Sequence, residues 1–314
     1  MSGCIVCKEK AFSLLFRTKD RMFDIPGFFD VKKCHRCSLV FLDPQPSQEI
    51  LRKHYPRQQY YSYQKKIKGL SGLIRQFRSY LIKNYYEPTI FSWVFSILVQ
   101  GVPAIPQKPR IKKGKILDVG CGSGDTLALL KKLGWDVYGL EIDKNAVKVA
   151  RERGLVNVKL GGYEKIASFP NNYFDSIRLY HVIEHIPDPR ACLKLIYKKL
   201  KPGGEIILGT PNADSMVGRI FGKFWYNLDT PRHLFVFSPI TLSIIVKVEG
   251  FSDLSTVFCS SDGVGRSIIY ALNEIFKKKM DTNKFTLLFF ILYLFEWILD
   301  KIRIGDIIIL RGIK

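Results

Sequence analysis

From Lys115 onward, short apolar runs alternate with amphipathic stretches and glycine-bearing turns. Lys115–Val119, Val137–Leu140, Phe174–Tyr180 and Glu205–Thr210 read as strands, Gly250-Phe251 opens another, and Gly305–Leu310 forms the last. A helix is predicted from Pro189 to Leu200, and Lys201-Pro202-Gly203-Gly204 turns into the next strand. Strands and helices alternating over short turns imply an α/β fold whose mostly parallel sheet is covered on both faces. Two further apolar segments exceed what that core needs. One is Ile90–Val99, followed by Gly101, Pro103 and Pro106; the other is Phe285–Phe295, apolar all round and followed by Trp297. A spanning helix needs about 20 apolar residues, so the expectations are a buried helix pair, a lid, or a peripheral membrane contact aided by Lys277-Lys278-Lys279.

The first predicted strand runs into Gly120, Gly122 and Gly124 and then into a helix, and twenty-one residues after Gly120 the second ends on Glu141. Glycine lets the backbone turn sharply and approach a ligand closely. The helix start behind the turn offers free N–H groups, and an acid at the tip of the next strand can hold a ribose diol. The spacing is G-x-G-x-G rather than the dinucleotide G-x-G-x-x-G, with Asp125 in place of the last glycine. Asp118, two residues before the first glycine, would repel a pyrophosphate but suit a ligand's ammonium group. A ribose together with an ammonium points to S-adenosylmethionine.

On these residues the chain resembles the class I S-adenosylmethionine-dependent methyltransferases. The resemblance continues through Phe174-Asp175 and the Leu200–Gly204 turn and covers about residues 112 to 314. It implies a Rossmann-like doubly wound seven-stranded sheet, a cofactor loop at Asp118–Gly124 and a ribose acid at Glu141. Where many members carry an acid for the adenine amino group, this chain has Gly161-Gly162-Tyr163-Glu164. Adenine is then expected to rest on backbone, Ile142 and Tyr163, and Tyr180 is counted with the cofactor-binding residues.

Two of only five histidines, His181 and His185, flank Glu184 at the end of the Phe174–Tyr180 strand. Arg232 and His233 close a run after the following strand, where an insertion would carry acceptor specificity. Methyl transfer needs alignment of donor and acceptor and, for a hydroxyl or carbon acid, removal of a proton. Histidine suits that role: His185 is the first choice of base, then His233, then His181. Arg232 could clamp a phosphate or carboxylate. Glu184-His185 also resembles the edge used by ubiquinone-pathway O-methyltransferases, where a divalent metal can assist.

Cys4-x-x-Cys7 and Cys34-x-x-Cys37 make two tight pairs. Two such knuckles close a tetrahedral structural zinc site, whereas a redox pair would come once beside a βαβ unit. His35 is a weaker ligand alternative, and Cys121, Cys192 and Cys259 read as core. The predicted organisation is a zinc ribbon at 1–45, a basic, aromatic helical connector at 46–110, and the catalytic domain at 111–314 with an apolar helical insertion near 265–300. A zinc ribbon before such a domain is similar to bacterial methyltransferases of sugar and surface-glycan pathways, and to a group of ribosomal-RNA guanine methyltransferases. Cys34–Tyr61 is more like the first.

A net charge of +21 over 314 residues implies an anionic partner. Leu51–Tyr86 holds nine lysines and arginines and no acid, and a second cluster runs through Lys108, Arg110, Lys112, Lys113 and Lys115. No apolar signal segment opens the chain, so a cytoplasmic setting is expected, peripheral at the inner face of the membrane if the apolar helices dock there. The expected activity is methylation of a hydroxyl or carbon on a nucleotide- or lipid-linked sugar, or a related anionic small molecule. The alternative is an RNA methyltransferase gripping the backbone through ribbon and connector. Against it, Tyr180-His181-Val182-Ile183 lacks the Asn/Asp-Pro-Pro-aromatic turn that resembles amino-directed base methylases.

Overall fold

The computed structural model describes residues 3–56, 109–111, 113–260, 263–277, 280 and 286–314. Most of the basic connector, Ile90–Val99, Lys108, Lys112, Lys278, Lys279 and Phe285 lie outside the described residues.

The N-terminal module comprises β1 (Phe12–Thr18), β2 (Phe29–Cys34) and β3 (Val40–Leu42), followed by α1 (Gln48–Lys53). Ser47 starts that helix by accepting a hydrogen bond from the Ile50 N–H. The large unit then runs β4 (Lys115–Val119), α2 (Asp125–Lys132), β5 (Asp136–Glu141), α3 (Lys144–Glu152), β6 (Val158–Leu160), β7 (Phe174–Tyr180), α4 (Pro189–Lys199) and β8 (Leu200–Pro211). It continues with α5 (Met216–Phe221), β9 (Phe235–Val236), α6 (Pro239–Val248), β10 (Ser252–Phe258), α7 (Gly263–Phe276), α8 (Thr286–Lys301) and β11 (Ile307–Ile313). Helix starts follow local chemistry. Asp143 caps α3 through the Asn145 and Ala146 N–H groups, Asp188 caps α4 ahead of Pro189, and Ser238 forms a capping box ahead of Pro239.

Seven strands form one sheet in the order β10-β11-β8-β7-β4-β5-β6. β8, β7, β4, β5 and β6 are parallel neighbours, and β11 is antiparallel to β8 and β10. This is the doubly wound, mostly parallel sheet expected. Its central strands are buried on both faces, as their continuous apolar runs require. The N-terminal sheet has the order β1-β2-β3-β9, and its fourth strand comes from the large unit: Val236 pairs with Val40 and Phe235 with Phe41. One hydrophobic core runs from Cys4, Val31 and Phe41 to Leu179 and Leu208.

Helix α8 carries most of the apolar segment and the Glu296 and Trp297 that follow it. Glu296 and Leu299 are buried, while Leu294, Phe295 and Ile298 are exposed. Among the described residues, no helix is long and apolar enough to cross a membrane.

Candidate active site

The carboxyl ends of β4, β5 and β7 converge on one edge of the sheet. Gly120, Gly122 and Gly124 all take positive φ, a region other residues enter at a cost. Their surroundings assign them different work. A Cβ on Gly120 would strike Val182, and one on Gly124 would strike Leu155 and Ala150. A Cβ on Gly122 would meet nothing within 4 Å, so the backbone there faces an open cradle. Glu141 closes the cradle's far side. Its Oε2 accepts from the Gly122 N–H (2.8 Å) and its Oε1 from the Asp143 N–H (2.9 Å). With the Ile142 N–H as a third backbone donor, the carboxylate keeps acceptor capacity for the expected ribose diol. Ile142, 72% exposed, stands beside Gly162 at the same tip, where an adenine ring could rest, and Tyr163 is partly buried nearby.

Two expected cofactor contacts are engaged within the protein. Asp118 is not open to a ligand's ammonium. It is 1% exposed beneath the glycine turn, with Arg178 Nη1 2.5 Å from its Oδ2. The reason is register: Asp118 and Arg178 are directly paired on adjacent strands. Burial, opposed by Arg178 and reinforced by Glu141, pushes the Asp118 carboxyl up to about 6. Tyr180 lies with its ring over Gly209 on β8, where a Cβ would collide with it. Its role is therefore packing against the sheet as well as lining the edge.

Beyond β7 the chain makes a short 3₁₀ turn over Ile183–His185. His181, which precedes it, takes φ 54°, an uncommon conformation for a residue with a Cβ. Its Nδ1 lies 3.2 Å from Glu184 Oε1. Glu184 is fully buried. Burial would raise its carboxyl, but His181 and the imidazoles of His233 and His185 outweigh that and bring it down to about 2. Its Oε2 has no hydrogen-bond partner among the described residues. The His185 and His233 rings stand 4.7 Å apart, so the three expected groups do meet across the chain. His185 Nδ1 is 2.9 Å from the Arg232 carbonyl, and His233 Nδ1 is 2.9 Å from the Asn227 carbonyl. A carbonyl only accepts, so each ring donates from Nδ1, and the neutral form of each then has its lone pair on Nε2. Burial and the neighbouring His185 push His233 down to about 4. Glu184, His185 and His233 also offer ligand atoms within 4.8 Å of one another, a spacing a divalent ion could use.

Arg232 cannot act as the substrate clamp expected of it. It is 1% exposed and every guanidinium N–H is taken. Nε donates to Asp229; Nη1 donates to Asp20 Oδ2 (2.8 Å) and the His54 carbonyl (2.9 Å); Nη2 donates to Asp20 Oδ1 (3.0 Å) and Asp229 Oδ1 (2.5 Å). Its real contribution is its carbonyl, which holds His185. Sequence reasoning missed Asp20, His54, Asp229 and Tyr55, whose hydroxyl lies 3.1 Å from His185 Nδ1. Only Asp229, three residues before Arg232, carried a local signal.

The cysteine pairs converge as spaced. Cys4 Sγ is 3.5 Å from Cys37 Sγ, Cys7 Sγ is 3.5 Å from Cys34 Sγ, and all four lie within 4.8 Å of one another. Tetrahedral Zn–S bonds of about 2.3 Å imply sulfur–sulfur edges of about 3.8 Å, so four thiolates here fit the ion. His35 is exposed and outside this cluster, and Cys121, Cys192 and Cys259 are buried in the core.

A family model described as a methyltransferase domain matches residues 91–256. The chain is 35% identical over 129 residues to a demethylmenaquinone methyltransferase of Geobacillus sp. (strain WCH70), covering 38% of this chain and 54% of that protein. It is also 35% identical over 103 residues to a ubiquinone biosynthesis O-methyltransferase of Xanthomonas oryzae pv. oryzae, covering 31% of this chain and 43% of that protein. The chain thus spans about half the length of the curated relatives it matches. A crystal structure of a SAM dependent methyltransferase from Archaeoglobus fulgidus is 24% identical and covers 78% of this chain and 100% of that one, with a TM-score of 0.46.

Proposed function

The chain belongs to the methyltransferase-domain family, and we propose that it transfers the methyl group of S-adenosylmethionine to a hydroxyl or carbon acid of a sugar-bearing, phosphate-linked small molecule. The observation that carries this reading is the lone pair of His185 Nε2, fixed by the Nδ1–H bond to the Arg232 carbonyl at the edge that holds the glycine cradle. Val182, from the same turn, lies against Gly120, so acceptor side and cradle are adjacent.

S-adenosylmethionine, when bound, supplies a methyl group made electrophilic by its sulfonium. Gly122 and Glu141 would hold its ribose, and Ile142 and Tyr163 its adenine. Asp118, paired with Arg178, keeps the β4 end rigid under the turn. His185 Nε2 would take the acceptor's proton as the acceptor gains the methyl group and S-adenosylhomocysteine leaves, and the imidazolium would release that proton to water afterwards. Glu184 remains ionised at neutral pH and stabilises that transient charge, while His233, lowered to about 4, stays neutral beside it. The net charge of +21 draws in an acceptor that carries phosphate. A second reading, methylation of a quinone or a quinone precursor, is favoured by what the two relatives above are named for.

Tritium from methyl-labelled S-adenosylmethionine, incubated with a source-cell lysate and the purified chain, separates these outcomes. The sugar reading expects label in sugar-nucleotide, polysaccharide or glycolipid fractions. Label confined to a neutral quinone fraction would replace the acceptor with the second reading, and ribonuclease-sensitive label would overturn both.

The four cysteines are proposed to hold one structural zinc ion. Purified protein is expected to carry about one zinc per chain, and Cys37→Ser to lose it together with the thermal stability of the N-terminal sheet. Wild-type protein that is fully folded and metal-free in elemental analysis would contradict the site.

A further inference from the structure

We infer that Asp20, in the N-terminal module, is a positioning residue for methyl transfer: by locking Arg232 it holds the carbonyl that fixes the His185 tautomer. The inference rests on the proposed role of His185 as base.

The segment Arg232–Leu234 straps the Ile183–His185 turn from both sides. His185 Nδ1–H donates to the Arg232 carbonyl (2.9 Å), and the Leu234 N–H donates to the Glu184 carbonyl (2.8 Å). Whatever holds this strap holds the base. On its other side the strap is gripped by the N-terminal module. Leu42 on β3 donates its N–H to the Leu234 carbonyl (3.0 Å), and Phe235 pairs with Phe41.

Asp20 completes the grip at Arg232. It is fully buried, and its two oxygens take Nη1 and Nη2 in the paired geometry that fixes a guanidinium in direction as well as distance. The carboxylate is itself fixed. The N–H groups of Met22 and Phe23 donate to Oδ1 (both 3.0 Å), and His54 Nδ1 lies 2.8 Å from Oδ2. The Phe23 ring sits 4.9 Å from the guanidinium carbon, and Asp229 holds the remaining face.

A buried ion pair is weak evidence for stability, because apolar side chains of like volume often do as well. What apolar packing cannot supply is orientation of the Arg232 peptide. Here that orientation decides which nitrogen of His185 carries the proton. The N-terminal module thereby belongs to the acceptor half of the site.

The test compares wild type, Asp20→Asn and Arg232→Lys, the last keeping the charge but giving up the paired contacts. Nitrogen-15 spectra of the His185 ring, assigned by its loss in His185→Gln, report the tautomer. Calorimetry with S-adenosylhomocysteine reports the cradle, and tritium transfer from S-adenosylmethionine into the labelled lysate fraction reports turnover. Both variants are expected to show a mixed or inverted tautomer, cofactor affinity within about twofold of wild type, and turnover lowered about 10- to 100-fold. Adding Asp20→Asn to His185→Ala is expected to change turnover no further, because Asp20 acts only through that ring. A wild-type tautomer in Asp20→Asn, or an additive loss in the double variant, would overturn the inference. If His185→Ala alone kept full turnover, the base assignment would fail and the role of Asp20 in methyl transfer would fall with it; a shifted tautomer in Asp20→Asn would then show only that Asp20 fixes the ring.

Discussion

Replacing His185 with alanine is expected to lower methyl transfer by about 10²-fold or more while leaving cofactor affinity within about twofold. The large loss follows because no neighbour can take over. His233 stands next to it, but burial lowers its pKa to about 4, which makes it a weak base at neutral pH. Glu184, held at about 2, is weaker still, and His181 is engaged with Glu184. The cradle should be unaffected, since Glu141 is held by the Gly122 and Asp143 N–H groups and not through His185. His233→Ala should produce a smaller loss, chiefly through the packing of the two rings. Initial rates of tritium transfer beside a calorimetric titration check both halves. Near-normal turnover with normal affinity would remove His185 from its role.

The second large effect concerns stability. Arg232→Met is expected to destabilise the fold by about 3–5 kcal/mol, because it leaves two carboxylates buried without their counter-charge. In the native protein, burial would raise Asp20 and Asp229, but Arg232 and the nearby histidines hold both below their ordinary values. That stability is present above the unfolded carboxyl value of about 3.9 and is lost as pH falls through the native one. In Arg232→Met the shift reverses. Desolvation is then opposed only by the Met22 and Phe23 N–H groups and the nearby histidines, the folded state is expected to bind protons more tightly than the unfolded chain, and stability to fall as pH rises past about 4. The variant's deficit in a urea midpoint should therefore be larger at pH 7 than at pH 4.5. An equal deficit at both would argue that Arg232 acts through its bulk alone.

The glycine turn and its acid were legible in the chain because their determinants are local. The glycine turn, the strand before it and Glu141 lie within a few dozen residues, and each carries a recognisable local pattern. The cysteine knuckles were legible for the same reason, since their spacing is itself the signal. The His181–Glu184–His185 edge could be placed once β7 was recognised, and His233 followed from its loop. What failed depends on which strands become neighbours. Asp118 was correctly located, but its partner Arg178 is set by the pairing of β4 with β7, which no local pattern announces. Arg232 was mistaken for a substrate clamp because its partner Asp20 lies 212 residues away. The two-residue strand β9, too short to show a period, joins the N-terminal module to the acceptor loop.

The claim on which the catalytic account depends is that His185 carries its proton on Nδ1 and offers Nε2 to the acceptor. A nitrogen-15 spectrum of the wild-type imidazole near neutral pH tests it without knowledge of the acceptor. A protonated Nδ1 with an unprotonated Nε2 is the predicted pattern. A proton on Nε2 would contradict it, because the nitrogen facing the acceptor would then have no lone pair with which to take the acceptor's proton.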